Sequence, residues 1–574
     1  MRDRSIYALQ AEQAAMTRLL NAYIREAAGS KLPVEDGMLL KLSQTHRTLK
    51  LSFRYVSASG HHRYVFPIMG EERESAGQQA LSFQEVTEWL LAEVAAADAE
   101  SLEAGERKLS LQKQIANSVA KTIRYLQAKD DIAPQPTSGA DCPYLRSEQS
   151  LLFGHPFHPT PKSSEGLTEQ DLVRFAPELH ASYRLDYWLV HPELFDEEWI
   201  GESPMQSYWS EREREWLKRA GVGPRYAGYR LLPSHPWQSA HLKSLPAVQH
   251  RERSGQLLWL GSLGDTVYPT ASVRTVWSPE HGLFLKLPLH VRITNFIRTN
   301  TAEQRRRSLD AARIWEDIGR RFHWAGFGVL QEPGSLSVSD SQLAEAFTVL
   351  LREGDPGLVS QDEEWHAAAS MFEDEGNEPW WLPGTELQAL EWTQRYVSIY
   401  LLPVLKLFAE EGFGLEAHVQ NTLIRLQDRS PVRCLVRDLE GVSVCRETAR
   451  EKGWIGTAVP ETSPVLYDRE EAWMRLLYYN VTNHLSHMLA AVSRSSGAAE
   501  SLLWRSAGEA AADQARIGSV RLWEWTERLL MAPTLPAKAN LISRFRQRAE
   551  QPEYVQIPNP LYQPSAVYSF GTLR

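Results

Sequence analysis

Cysteine is nearly missing from this chain: Cys142, Cys434 and Cys445 are the only three in 574 residues. Their odd number and wide spacing exclude a disulfide framework and a cysteine-based zinc site, and they fit reduced thiols in a reducing compartment. Long apolar runs are absent too. No window is long enough to span a bilayer, and the opening Met1-Arg2-Asp3-Arg4-Ser5-Ile6 leads into a charged segment without the apolar core of a secretion signal. Basic runs are short, the densest being Arg305-Arg306-Arg307, and the formal net charge is -10 with a pI of about 6.0. Nucleic acid and membrane are therefore not expected partners, and a cytoplasmic location is. Internal repeats and low-complexity segments are also lacking.

What is present is a folded composition, with 43% hydrophobic and 23% charged residues and 19 tryptophans able to anchor cores or line a cleft. The length exceeds one ordinary core. Turn formers crowd residues 129–145, and we divide the chain into regions 1–135, 136–335 and 336–574. Periodicity predicts a helix over 8–26, short strands within 42–67, and long helices over 83–127. Further on it predicts a helix over 302–322, a connection over 326–334 and a helical, acidic stretch to about 377. Trp380-Trp381-Leu382-Pro383-Gly384 marks a break. A strong helix over 392–411 is ended by Gly412, and three helices follow between 470 and 532. His484 and His487 lie on the first of these, where histidines are ordinarily core or surface residues. The class is α+β.

The most informative stretch is 266–298. From 285 to 293 every odd position is aliphatic, while the even ones carry Lys286, Pro288, His290 and Arg292, then Thr294. A period of two reads as a strand with one buried face. If 278–282 connects a hairpin, Arg274 falls opposite Lys286, and like charges across a ladder repel. Either the face is simply solvated or an anion sits between the cations. We favour the anion, with Ser272 and Thr275 as hydroxyl donors and Arg298 beyond the second strand, a cradle for polyphosphate or carboxylate.

A second element is Gly154-His155-Pro156-Phe157-His158-Pro159-Thr160-Pro161-Lys162. Three prolines deny it helix and ladder geometry, so its imidazoles and Lys162 ride on a stiff backbone suited to a charged small molecule. Zinc shared by His155, His158 and His235 is the competing reading, with no matching ligand spacing, and a rigid loop with capping histidines is the bland one.

The third element, 415–441, contains Glu416, His418 and Gln420 in alternation, Asn421, a turn at 427–431, and Asp438. Folding about that turn sets Asp438 roughly opposite Gln420 and gathers four polar groups on one side of a hairpin. His, Asn and Asp in this order are loosely like the catalytic loop and metal-binding Asp of protein kinases, although the glycine-rich loop is missing. A satisfied polar network is the alternative.

Taken together the chain resembles the siderophore synthetases that work independently of nonribosomal peptide synthetases, the aerobactin-synthetase family. Carrying the resemblance are the 154–162 string, Ser234-His235-Pro236-Trp237-Gln238, Ala271-Ser272-Val273-Arg274-Thr275, Lys286 with Thr294 and Arg298, Glu416-Ala417-His418-Val419-Gln420-Asn421, and Arg437-Asp438-Leu439-Glu440-Gly441, in family order. The resemblance implies a cupped hand, with region 1–135 as thumb, 136–335 as fingers and 336–574 as a loosely kinase-like palm, and a homodimer. It implies adenylation of a carboxylate such as citrate or a citrate derivative by ATP with Mg2+, then condensation with an amine, a polyamine or hydroxylated diamine. By position, His158, Lys162, Ser272, Arg274, Thr275 and Lys286 would hold phosphates. Glu416, Asn421 and Asp438 would serve nucleotide and magnesium, the last two as metal ligands. Thr294, Arg298, His418, Gln420 and Lys538 would face the carboxylate. Where many members carry a basic residue after Lys162, Ser163, Ser164 and Glu165 follow here, which leaves the carboxylate open.

Adenylation brings an anion to a polyanion, so its barrier is largely electrostatic, and Arg274, Lys286 and Arg298 would supply the opposing field. His418 is a general base by type for the amine. The rivals are a kinase-like phosphotransferase releasing ADP and a non-catalytic binder of citrate-like anions.

Overall fold

The computed structural model describes residues 4–27, 37–72, 77–98, 102–131, 142–293, 296–373, 381–548 and 551–563. Most of the turn-rich boundary at 129–145 lies outside the described residues, as do Thr294 and Trp380.

The N-terminal unit opens with helix Arg4–Glu26, whose apolar stripe of Ala11, Leu19, Leu20 and Tyr23 is buried. It packs with helices Phe83–Ala97 and Ala104–Asp131 and a four-stranded antiparallel sheet of Met38–Leu42, Arg47–Leu51, Ile68–Glu71 and Gln79–Leu81. Ser82 and Glu85 form a reciprocal capping box that starts the second helix. Leu541 and Phe545, from the distant helix Asn540–Phe545, complete this core.

An eight-stranded antiparallel sheet forms the middle of the molecule. Its spatial order is Arg230–Ser234, Tyr183–Val190, Leu257–Pro269, Thr275–Ser278, Leu283–Lys286, Val349–Glu353, Gly334–Val338 and Phe195–Trp199. On one face Val276, Leu283, Leu285 and Leu351 pack with Trp209, Trp216 and Leu242. On the other, Trp277 and Phe284 meet Tyr144, Trp365, Leu423 and Leu435. Those last three belong to a smaller sheet of Phe327–Val329, Ser430–Val436, Thr422–Gln427 and Glu364–Ala367. Thus an apolar layer, with helix Pro143–Gln149 built into it, sets the Thr275–Lys286 hairpin against the Thr422–Val436 hairpin.

The C-terminal region adds helices Glu386–Tyr396 and Leu402–Glu411, joined by the π-helical turn Val397–Leu401 and ended by Gly412 in the left-handed region at φ 62°. The three helices expected between 470 and 532 are there, and Leu477–Leu485 within the first is also π-helical.

The structure corrects the sequence reading at three places. The stretch after 334 is mainly strand with only short helical turns: Gly334–Val338, Val349–Glu353 and Glu364–Ala367 are strands, the helices Ala344–Phe347 and Ala368–Phe372 are brief, and the middle sheet runs past the boundary set at 335. Ser335-Leu336-Ser337-Val338 has the alternation of a strand, and both its faces are buried. The expected strand over 285–293 breaks at Leu287-Pro288 into Leu283–Lys286 and Leu289–Ile293, which pair in different sheets. Pro288 has no N–H to give a ladder. Residues 416–421 form a turn, and the strand starts only at Thr422.

Candidate functional site

The first ribbon begins with a tight loop at 270–275. Thr270 N donates to Thr275 O at 2.9 Å, Val273 N donates to Thr270 O at 2.8 Å, and Thr275 N donates to Ser272 Oγ at 3.1 Å. Val273 is held at φ 67°, a conformation that costs a β-branched residue energy. The ladder pairs Thr275 with Lys286, so Arg274 is not opposite Lys286; the connection is 279–282, one residue shorter than the 278–282 expected. The two cations nevertheless converge. Arg274 and Lys286 are 6% and 4% exposed. Arg274 donates to Thr299 O at 2.9 Å and Asn300 Oδ1 at 2.6 Å, while Asn300 Nδ2 donates to Lys286 O at 3.0 Å. One buried asparagine therefore ties the Arg274 side chain to the Lys286 backbone.

The anion expected between them is supplied by the chain. Lys286 Nζ donates to Asp438 Oδ1 at 2.7 Å and Glu440 Oε2 at 2.8 Å, and the same Glu440 oxygen lies 3.9 Å from Arg274. Arg352, paired with buried Glu332, lies 3.5 Å from Asp438. Burial alone would raise the Asp438 pKa, but Lys286 and Arg352 hold it well below the carboxylate range, and Lys286 holds Glu440 down in the same way. Lys286 is driven up by both acids against its own desolvation. For Arg298, burial and neighbouring Arg274 bring the pKa down to about 10, which places its charge in the same field. Asp438 sits at φ 76°, which aims the acid away from the path of the preceding strand.

The histidines share one device. His155, His158, His235 and His418 each accept, at Nδ1, the backbone N–H two residues on, at 3.1 to 3.2 Å. His418 Nδ1 also faces Asn421 N at 3.3 Å. These side-chain to backbone bonds compete with a ladder and explain the turn at 416–421. They also assign the proton to Nε2 by the hydrogen-bond network. Burial lowers the His418 pKa to about 4. Its remaining lone pair is occupied, so it is fitted to donate from Nε2, and the general-base role read from its residue type does not suit this geometry. Among the described residues, no group of three His, Cys, Asp or Glu could hold a metal ion, which removes the zinc reading. His235 caps helix Pro236–Ser244 and packs against Phe175 and Tyr183. Lys162 is turned inward, donating to Leu151 O and to Glu178 at 2.6 Å.

Below the ribbons, Glu416 Oε1 lies 3.7 Å from His418 Nε2, and Asn421 Nδ2 donates to Glu416 O at 3.1 Å. Burial raises the Glu416 pKa, with Lys538 and Arg475 pulling it back. A Cβ at Gly441 would collide with the Glu416 carboxylate, so glycine is required there. Lys538 Nζ donates to Tyr479 OH at 2.8 Å, and the Tyr479 ring stands 6.0 Å from that of His418. Asn483 lies 2.9 Å from His155 Nε2. Gln420 enters mainly through its backbone, accepting from Arg437 Nη2 at 2.8 Å.

Arg437 leads to the tie between the ribbons. Its Nη1 pairs with Glu148 at 2.6 Å, and the other Glu148 oxygen accepts Ala271 N of the first loop at 2.9 Å. Glu148 is fully buried. Neither it nor Tyr479, Glu440, Asn300 or Arg352 was assigned a role from sequence. Glu440 had a signal, standing two residues from Asp438 in a quoted motif; the others had none in spacing or type.

The cationic and acidic ribbons thus meet at the contact of Lys286 with Asp438 and Glu440. The model of the IucA / IucC family matches residues 143–373, spanning Glu148, the 154–162 loop and the first ribbon; that of the ferric iron reductase FhuF-like transporters matches 390–553, spanning the second ribbon and Lys538. This makes the chain an enzyme of siderophore biosynthesis, of the ligase class. L-2,3-diaminopropanoate–citrate ligase of Staphylococcus aureus is 35% identical over 583 residues, covering 96% of each chain. The rhizobactin siderophore biosynthesis protein RhbC of Rhizobium meliloti is 29% identical, covering 91% of this chain and 92% of its own. In three dimensions, ATP-bound aerobactin synthetase IucA of Klebsiella pneumoniae superposes with a TM-score of 0.83 at 22% identity, over 96% of this chain and 99% of that one. The chain belongs to the IucA / IucC family.

Proposed function

We propose that this enzyme uses ATP to adenylate citrate or a citrate derivative and passes the acyl group to an amine. The observation that carries the reading is the contact of Lys286 with Asp438 and Glu440, which joins the two ribbons at one point. In the first step a carboxylate oxygen attacks the α-phosphorus, the bridging P–O bond breaks and pyrophosphate leaves. Arg274, Lys286 and Arg298, with the His158 Nε2–H and the Ser272 and Thr275 hydroxyls, would hold the phosphates against that charge. In the second step the amine nitrogen attacks the acyl carbon, the bond to AMP breaks and the ammonium proton passes to solvent. Lys538, Tyr479 and the His418 Nε2–H would hold the carboxylates of the acid.

Asp438 and Asn421 suit magnesium. Asp438 is kept ionised, and Asn421 spends its amide nitrogen on Glu416 O, which leaves its oxygen as the available donor. When bound, the metal would neutralise phosphate charge. The name of the staphylococcal relative supports citrate and adds a small diamino acid to the polyamines and hydroxylated diamines as amine. We place the enzyme in the cytoplasm, which its three buried thiols support, as a homodimer.

The test is a pyrophosphate-exchange assay with citrate, followed by mass spectrometry of amine condensations and chromatography of the nucleotide product. AMP with pyrophosphate is expected. ADP would indicate a phosphotransferase, and carboxylate-independent or absent exchange a binding protein.

A further inference from the structure

Two segments of the proposed site are held by the end of one helix of the N-terminal unit. Helix Arg4–Glu26 finishes in two charged residues that reach in different directions. The Arg25 guanidinium lies 3.2 Å from the centroid of the Phe157 ring and donates to Ser59 O at 2.8 Å. Phe157 is buried between His155 and His158, and its backbone N donates to His155 Nδ1. His61 closes on the same ring edge-on, with centroids 4.7 Å apart. Arg25 thus clamps the loop that carries both imidazoles through a buried ring.

Glu26 holds the opposite wall. Its two oxygens accept Leu541 N at 3.0 Å and Ile542 N at 2.9 Å, donors at the start of helix Asn540–Phe545 that have no partner within the helix itself. That helix begins two residues after Lys538, the last residue of strand Thr534–Lys538. Between them only Ala539 intervenes, its N bonded to Glu553 O at 2.9 Å. There is no slack: the height of the helix fixes the reach of Lys538 toward Tyr479. Leu541 and Phe545 then anchor the segment in the N-terminal core.

We propose that Arg25 and Glu26 are positioning residues that set the two walls separately, Arg25 the histidine loop on the nucleotide side and Glu26 the Lys538 segment on the carboxylate side. The inference rests on the proposed assignment of those walls. It goes beyond it by making the N-terminal unit a gauge for the cleft instead of a passive support.

The test compares Arg25→Gln, Glu26→Gln and Lys538→Ala in the full-length enzyme by pyrophosphate exchange, with KM measured separately for ATP and citrate. Asp98→Asn controls for loosened packing, since Asp98 joins the same segment to the N-terminal unit through Arg546 at 3.1 Å and its loss leaves the Arg546–Glu553 pair in place. Glu26→Gln is expected to raise the citrate KM about tenfold with ATP KM within twofold, because its amide NH2 cannot accept one of the two backbone N–H groups, and Arg25→Gln to do the reverse, because it loses the cation over the Phe157 ring. Asp98→Asn should move neither. Equal shifts in both constants for both variants, or none while Lys538→Ala raises the citrate KM, would overturn the positioning role alone. A Lys538→Ala enzyme with unchanged citrate KM would overturn the carboxylate-side assignment and the role of Glu26 together.

Discussion

Replacing Glu148 by alanine attacks a group that bonds both ribbons at once. In the native protein one oxygen neutralises Arg437 at 2.6 Å and the other receives Ala271 N at 2.9 Å, in a place with no solvent access. Removal leaves a buried guanidinium without its counter-ion, which costs about 3–5 kcal/mol. It also leaves a backbone N–H without an acceptor, worth about 1–3 kcal/mol, and because the two losses share one side chain they overlap and do not simply add. Tyr144 OH and Gln420 O remain as partners of Arg437, at 2.9 and 2.8 Å, so the lower half of the first range is expected. Urea unfolding should show this as a fall in the midpoint of the transition that reports the interface of the two sheets. Glu148→Gln preserves an acceptor for Ala271 and should fall less. Adding Arg437→Met to Glu148→Ala removes the stranded charge, so the double variant should be more stable than Glu148→Ala. In pyrophosphate exchange both single variants should lose rate, since the 270–275 loop and Gln420 lose their common anchor. An unchanged midpoint and exchange rate in Glu148→Ala, or a double variant less stable by the full sum of the singles, would refute the reasoning.

Lys286→Met should lower the exchange rate by about 10²–10³-fold. It should also destabilise the fold at pH 7, where Asp438 and Glu440 are ionised. Because their folded pKa values are depressed, that stability difference exists above the unfolded carboxylate range and should vanish as the pH falls through the lower folded values; a pH-independent difference in unfolding midpoint would count against it. His418→Ala should raise the citrate KM without removing any limb of the pH–rate profile between pH 5 and 7, since the imidazole is neutral there; a limb present in the wild type and lost in the variant would restore a proton-transfer role. Acid should unfold the protein early. Burial holds His62, His366 and His418 near pKa 4 and His235 and His484 near 3, against about 6.5 when unfolded, so the stability they contribute is complete above pH 6.5 and is lost as the pH drops toward 4, at about 1.4 kcal/mol per unit of depression. A thermal midpoint flat from pH 7 to 5 would contradict this.

Local pattern carried the helices and the chemistry of the ribbons, because both depend on residues close in sequence. Gly412 ended its helix where a left-handed cap was needed, and alternation at 422–436 gave a hairpin whose register extends to the expected level of Gln420 and Asp438. Long-range pairing stayed hidden. Beyond the alternation at 335–338, what makes 334–338 and 349–353 interior strands is their pairing with 195–199 and 283–286. The one-residue error at Arg274 has the same origin: a four-residue connection and a five-residue one are equally compatible with the apolar pattern, and the second strand is also paired from its other side by Val349–Glu353. Side chains that act through distant backbone, such as Glu148 on Ala271 or Glu26 on Leu541, carry no local mark at all.

The cation pairing explains a tension in the composition. A chain with net charge -10 and only short basic runs can still build the proposed cradle for a polyanion, because Arg274, Lys286, Arg298 and Arg352 face Asp438, Glu440 and Glu332 and are nearly balanced by them. Four buried cations without those acids would repel one another and shed charge through depressed pKa values. With them, Lys286 keeps its proton well above neutrality and its position is fixed before any phosphate arrives. The acids therefore do for the resting protein what the nucleotide phosphates do in the proposed complex, so ligand entry exchanges one set of oxygens for another around cations that are already desolvated. That exchange would let the field be strong without being exposed, and it needs the acids within reach of the cations, as Asp438 and Glu440 are of Lys286.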